Sequence, residues 1–153
     1  MSELLEKARS YEAKKIAATD KESKPLFHIS APAGWINDPN GFSVYNGKIH
    51  LFYQYYPYLR EWGPMHWGHS TTSDMIKWEQ LPCVLAPDEE YDKKGCFSGS
   101  AIEADGKHVL VYTGVTRIKL PDGSEQERQN QCIAFGDGRD YVCLLYTSPS
   151  PRD

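Results

Sequence analysis

One carboxylate in this chain stands between an aromatic, an amide and a proline: Asp38, within Trp35-Ile36-Asn37-Asp38-Pro39-Asn40-Gly41. Asp-Pro-Asn-Gly at four successive positions suits a type I turn, in which Asp accepts a backbone hydrogen bond, Pro presets φ and Gly follows. A glycosidase asks something else of the same residues: a rigidly held carboxylate near an aromatic floor and amide donors. Pro39 also serves that purpose. The residue before a proline is driven to extended backbone, which would fix the direction of the Asp38 side chain.

Three further clusters carry residues able to handle a sugar. In Leu51-Phe52-Tyr53-Gln54-Tyr55-Tyr56-Pro57, strand alternation puts His50, Phe52, Gln54 and Tyr56 on one face, and Ile49, Leu51, Tyr53 and Tyr55 on the other. Gln54 would offer a donor and an acceptor to sugar hydroxyls, or it would bridge neighbouring strands. In Trp62-Gly63-Pro64-Met65-His66-Trp67-Gly68-His69, Trp62 lies on a loop, where an indole can stack on a sugar ring or serve as a buried anchor. On a strand His66 and His69 point to opposite faces, with neither an HExxH helix nor a third ligand nearby, so no metal site is read from them. In Cys96-Phe97-Ser98-Gly99-Ser100-Ala101, small residues permit close approach of a ligand against Phe97, although a bulge or tight strand pairing explains them equally. No GxSxG elbow surrounds either serine, which argues against a serine nucleophile.

The elements that must position these residues are mostly strands. Residues 3–18 read as a helix, with Leu4, Leu5, Ala8, Tyr11 and Ala18 at near-helical spacing among charged residues, docked on the main body. The polar stretch Thr19–Pro25 ends it and acts as a linker. From Phe27 the pattern changes to short strands: Lys48–Tyr56 after an Asn46-Gly47 hairpin signal, His66–Thr72, Trp78–Leu81, Phe97–Glu103, His108–Thr116 and Gln129–Phe135. Asp105-Gly106 and Asp122-Gly123 supply turns. Without βαβ alternation, this spacing predicts an antiparallel all-β fold, either a sandwich or propeller blades.

Composition excludes several classes of function. The 17 basic residues form no stripe and are outnumbered by 21 acidic ones, which argues against a nucleic-acid partner. No apolar run approaches the roughly 20 residues that span a membrane, and no membrane partner is expected. The charged stretch Met1–Lys7 lacks the apolar core of a secretion signal, which points to a cytoplasmic protein. Cys83, Cys96, Cys132 and Cys143 show no CxxC spacing and are expected as free thiols.

Taken in order, the stretches around Asp38, Gln54 and Trp62, together with Asp74-Met75-Ile76-Lys77-Trp78 and Cys96–Ala101, resemble glycoside hydrolase family 32, the invertases and fructan hydrolases, most nearly the bacterial sucrose and sucrose-6-phosphate hydrolases. The resemblance implies an all-β fold: the N-terminal part, about two blades, of a five-bladed β-propeller, preceded by a short helix. It implies a retaining mechanism without cofactor, acting on a small carbohydrate: sucrose, its 6-phosphate or a short fructan. Asp38 matches the nucleophile, Trp35 and Asn37 match neighbours lining the fructose pocket, and Gln54, Trp62, Phe97 and Ser98 match further substrate contacts. A retaining pair of carboxyl groups stands about 5–5.5 Å apart. The family's general acid is a Glu in a Trp-Glu-Cys-Pro-type motif, which nothing here matches. Its stabilising Asp lies in an Arg-Asp-Pro motif, whereas Arg139-Asp140 is followed by Tyr141, so that role is not carried onto Asp140.

These departures lead to an expected division into helix and linker (1–24), partial propeller (25–142) and tail (143–153). The eleven residues from Cys143 to Asp153 read as an in-frame translation of a sequencing-library adapter, so the chain is expected to be a fragment, inactive alone and open at its blade edges. A non-catalytic fructan-binding relative and a fructosyltransferase are the alternative readings.

Overall fold

The computed structural model describes residues 2–20, 22, 24, 25 and 27–144. Among them one helix and eight strands follow in the order α1 (Glu3–Ala18), β1 (Trp35–Tyr45), β2 (Lys48–Tyr56), β3 (His66–Thr72), β4 (Glu79–Leu85), β5 (Gly95–Ala104), β6 (Lys107–Lys119), β7 (Glu125–Gly136) and β8 (Tyr141–Leu144). They make two four-stranded antiparallel meanders, β1-β2-β3-β4 and β5-β6-β7-β8, and the first strand of one packs beside the first strand of the other. Of the sandwich and the propeller blades that the strand spacing allowed, the two meanders have the blade pattern. Asn46 and Gly47 (φ 48° and 70°), like Asp105 and Gly106 (φ 49° and 71°), take the two left-handed positions of a type I′ hairpin turn.

Several boundaries and one helix face differ from expectation. β4 starts at Glu79, one residue after Trp78, and β6 and β7 extend further as a hairpin. β8 runs through Cys143 and Leu144, while residues 145–153 of the expected tail lie outside the described residues, as do Lys21 and Ser23 of the linker. The Asp-Pro-Asn-Gly stretch is not a turn: it lies within β1. On α1, Leu5 and Ala8 are buried as expected, but Leu4 is turned outward and Glu12 is buried.

Glu12 is inside because β4 is the edge of its sheet. The Cys83 N–H donates to Glu12 Oε2 at 3.1 Å, and Arg9 Nε donates to the Cys83 carbonyl at 2.7 Å. Two helix side chains one turn apart thus satisfy both backbone groups of an edge residue, as a neighbouring strand would have done. Arg9 also pairs with Asp140 of the other sheet at 2.7 Å.

Both faces of β2 are buried, in the alternation read from its sequence. Phe52 joins Trp67, Leu110, Tyr112 and Cys132 between the sheets. Tyr53 and Tyr55 join Leu5, Ala8 and Cys83 under α1. The larger of these, such as Phe52, Leu110 and Leu5, contribute about 1.5–3 kcal/mol each. All four cysteines are free, with Cys83, Cys96 and Cys132 buried. No helix among the described residues is long and apolar enough to cross a membrane.

A chain of imidazoles lies at the far end of the interface between the sheets. His50 Nδ1 and His69 Nε2 are 2.9 Å apart, His108 Nε2 meets Ser43 Oγ at 2.9 Å, and His108 Nδ1 meets the Tyr141 hydroxyl at 2.7 Å. The His108 ring stacks on Tyr45 with centroids 4.8 Å apart. Burial holds His50 and His69 below the ordinary histidine range, and holds His66 and His108 down to about 4. Burial has the opposite effect on carboxyls, raising Glu12 to about 7 and Asp92 to about 6.

The signs define a window. Histidines depressed by folding stabilise fully above their unfolded value, roughly 6.5, and that stability is lost as pH falls towards 4. A carboxyl raised by folding stabilises fully below its unfolded value, and that stability is lost as pH rises through 6 for Asp92 and 7 for Glu12. The melting temperature is therefore expected to peak near pH ~6–7. His69→Phe should flatten the acid limb and Glu12→Gln the alkaline limb. Unchanged limbs in thermal melts across pH would refute the assignment.

Candidate active site

The stretch holding Asp38 is shaped by a glycine and two bulges. Gly34 has φ +59°, and a Cβ there would fall 2.1 Å from the Tyr56 carbonyl oxygen, so only glycine lets β1 begin against the end of β2. β1 then pairs Trp35 with Tyr56 and Ile36 with Tyr55, but the next pair is Pro39 with Tyr53. Asn37 and Asp38 thus oppose the single residue Gln54. This is a β-bulge, which bends the strand and re-aims its side chains. Pro39, lacking an N–H, is tolerated at such an irregularity. A second bulge follows between Asn40 and Ser43, where buried Gly41 has φ +53° and a Cβ would meet the Phe52 ring at 2.7 Å.

The bulge leaves Asp38 exposed beside half-buried Asn37 and the partly exposed Trp35. The Trp35 indole N–H donates to Asn37 Oδ1 at 2.8 Å, which turns the amide oxygen towards the indole and its nitrogen away. Two of the expected residues, Trp35 and Asn37, are thus joined next to Asp38.

β5, which packs beside β1, carries an irregularity of the same kind. Phe97 pairs with Thr113 and Gly99 with Tyr112, so Ser98 is an extra residue, bulged and exposed. The β2–β3 loop brings Trp62, 52% exposed, edge-on to Phe97 with ring centroids 6.2 Å apart. The exposed alternative for Trp62 is therefore the one found.

Gln54 has a different place. It is 3% exposed, and its Nε2 donates to the Cys96 carbonyl at 3.0 Å, so it shows the bridging role, across sheets rather than between neighbouring strands. Trp67 does the same one residue on, its indole donating to the Phe97 carbonyl at 3.1 Å. The Cys96 N–H donates to the Met65 carbonyl at 2.8 Å, tying the start of β5 to the Trp62 loop.

Two residues went unread in the sequence. One is Trp67, whose donor fixes the wall. The other is Asn40: 4% exposed, it accepts from the Gly99 N–H at 3.4 Å and so links the two bulged strands. Its amide nitrogen is buried without a partner among the described residues.

His66 and His69 lie on opposite faces of β3: His66 bonds the Pro64 carbonyl at 2.9 Å, while His69 stacks on Phe52. Among the described residues no cluster of three or more potential ligands could hold a metal ion. Asp140 is engaged elsewhere, with Arg9, and follows a turn in which Asp137 Oδ1 accepts from the N–H groups of Arg139 and Asp140.

Comparison with known proteins gives this geometry a context. Residues 28–147 match the family described as Glycosyl hydrolases family 32 N-terminal domain. The chain is 49% identical over 110 residues to a sucrose-6-phosphate hydrolase of Escherichia coli, a match covering 72% of this chain and 23% of that protein. It is 48% identical over 145 residues to a levanase of Bacillus subtilis, covering 94% of this chain and 21% of that protein. The chain thus spans less than a quarter of the length of either relative. Among solved structures, a Bombyx mori GH32 beta-fructofuranosidase superposes with a TM-score of 0.81 at 42% identity, covering 95% of this chain and 31% of that one. The chain belongs to glycoside hydrolase family 32, and its two four-stranded sheets correspond to the N-terminal part of that family's propeller fold.

Proposed function

We propose that this chain supplies the nucleophile and part of the sugar pocket of a retaining fructose-releasing glycosidase. In this reading Asp38 attacks the anomeric carbon of a fructosyl unit. The C–O bond to the leaving sugar breaks as the bond to the Asp38 oxygen forms, and water later releases fructose from the fructosyl-enzyme. The substrate is a small carbohydrate: sucrose, sucrose 6-phosphate or a short fructan.

The observation that carries this reading is the β1 bulge. It aims Asp38 outward beside Asn37 and Trp35, at a place where β5 carries a bulge of its own at Ser98. Asn37 and Ser98 offer hydrogen bonds to sugar hydroxyls, and the Trp35, Trp62 and Phe97 rings offer apolar faces to the pyranose and furanose carbons. Gln54 lies beneath them as a positioning residue, and through its carbonyl oxygen as a further polar group of the pocket.

Retention also needs an acid to protonate the leaving oxygen. No Trp-Glu-Cys-Pro stretch and no Arg-Asp-Pro stretch occurs in the 153 residues. In this proposal residues 1–24 form the helix and linker and residues from 25 onward the blades. The acid and the stabilising carboxylate come from outside these residues.

In the whole protein, Asp38→Asn is expected to lower fructose release from sucrose by at least about a thousandfold while leaving sucrose binding intact. Fructose release at the wild-type rate would end the nucleophile assignment. The 153-residue chain assayed alone should release no more fructose than that variant does. Trp67→Phe should cost about 1–3 kcal/mol of stability, because the Phe97 carbonyl loses a buried donor. It should also raise KM more than it lowers kcat, by loosening Phe97 and Ser98; a variant with unchanged KM would count against this positioning role.

A further inference from the structure

A groove of about 360 Å³ runs between the C-terminal half of α1 and the segments flanking the β1–β2 strand pair. Its lining ends at Gly34, one residue short of Trp35, and at Arg60, two residues short of Trp62. The groove therefore borders the end of the first sheet where Trp35 pairs with Tyr56.

Its charge is unlike that of the chain. Lys15, Lys24 and Arg60 line it and no carboxylate among the described residues does, although acidic residues outnumber basic ones overall. Among the described residues none of the three cations takes part in an ion pair; the pairs present use Arg9, Lys48, Lys93, Lys94 and Arg117. Of the three, Lys24 also lies near enough to Glu12 to act on its carboxyl electrostatically; cations lining one concavity repel one another, and an anion relieves that repulsion.

The frame around them is fixed. The Tyr11 hydroxyl donates to the Tyr58 carbonyl at 3.2 Å, and the two rings meet edge-on with centroids 5.2 Å apart. Lys15 Nζ lies 5.4 Å from the centroid of the Tyr11 ring. The negative end of the α1 dipole would oppose an anion here. Two of its terminal carbonyls are occupied, however: the Thr19 N–H donates to Ile16 and the Thr19 hydroxyl to Lys15.

We propose that this groove binds the phosphate of a phosphomonoester. A phosphomonoester carries about −1.5 to −2 charges at neutral pH, enough to engage several cations at once. The volume exceeds that of a bare ion and suits a sugar phosphate. The phosphate is carried either on the sugar that is cleaved or on a separate small molecule. The first source rests on the glycosidase reading above, whereas phosphate binding itself does not.

The test uses the whole protein, with K15M/K24M/R60M set against wild type and the charge-preserving K15R/K24R/R60K. Fructose release is measured from sucrose and from sucrose 6-phosphate, and glucose 6-phosphate binding is measured by calorimetry at two salt concentrations. If the phosphate is on the substrate, the methionine variant raises KM for sucrose 6-phosphate at least about tenfold and changes kcat/KM for sucrose by less than about twofold. The charge-preserving variant keeps most of the preference. If the phosphate belongs to a separate ligand, both sugars are cleaved as by wild type, and glucose 6-phosphate binding weakens by at least about tenfold and falls with salt.

A methionine variant with unchanged KM for sucrose 6-phosphate and unchanged glucose 6-phosphate binding overturns the proposal. A wild-type protein that binds glucose 6-phosphate through these cations yet releases fructose from neither sugar overturns the glycosidase reading and leaves the groove standing.

Discussion

Two buried donors reaching across the sheet interface determine where the second wall of the site can be. The Gln54 amide and the Trp67 indole donate to the carbonyls of Cys96 and Phe97, successive residues of β5. In a dry interface a carbonyl without a donor costs about 1–3 kcal/mol, so any sliding of β5 along β1 would strand both acceptors at once. Register between the sheets is thereby coupled to the register of β2 with β3, where Gln54 pairs with Trp67. Phe97 and Ser98 follow from that constraint, because the β5 bulge begins at the residue whose carbonyl Trp67 holds.

The two bulges solve a problem that a regular ladder cannot. In an ideal antiparallel pair alternate residues are committed to one face or the other, and every backbone group belongs to the ladder. An extra residue breaks the alternation without breaking the sheet, which is how Asp38 escapes the burial of neighbouring Asn40. The carboxyls with the strongest upward shifts, Glu12 and Asp92, are instead occupied by the scaffold. Glu12 accepts from the backbone of Cys83, and Asp92 accepts from the backbone of Glu89 and from the Tyr112 hydroxyl. A search for perturbed acids would have led to these two residues and away from the bulge. Desolvation marks buried structural carboxyls as readily as catalytic ones.

What could be read from the sequence was what local chemistry determines. The Asn46-Gly47 and Asp105-Gly106 turns, the alternation along β2 and the extent of α1 each depend on neighbours within a few residues, and each was legible. The Asp38 stretch was legible as an important place but not as a bulge: Asp-Pro-Asn-Gly satisfies turn chemistry too, and only its pairing with β2 decides between them. Gln54 shows the same limit from the other side. Its strand face was evident, but its partner, Cys96, lies 42 residues away. Glu12 was misplaced because its partner is a strand edge, and nothing in a helix pattern announces an edge.

The helix illustrates how one element comes to serve several ends through geometry alone. Its middle turns present Arg9 and Glu12 to the backbone of Cys83, closing the open edge of β4 against other chains. That docking fixes the azimuth of the helix, and a fixed azimuth at Glu12 leaves no choice for Tyr11, which must turn towards Tyr58. Tyr11 in turn lies under Lys15, one turn further on, which faces the groove shared with Lys24 and Arg60. The buried Leu5 and Ala8, with Arg9 and Glu12, thus set the rotation that brings Lys15 to the groove lined also by Lys24 and Arg60. The covered sheet edge and the Lys15 side of the groove both follow from how this one helix docks.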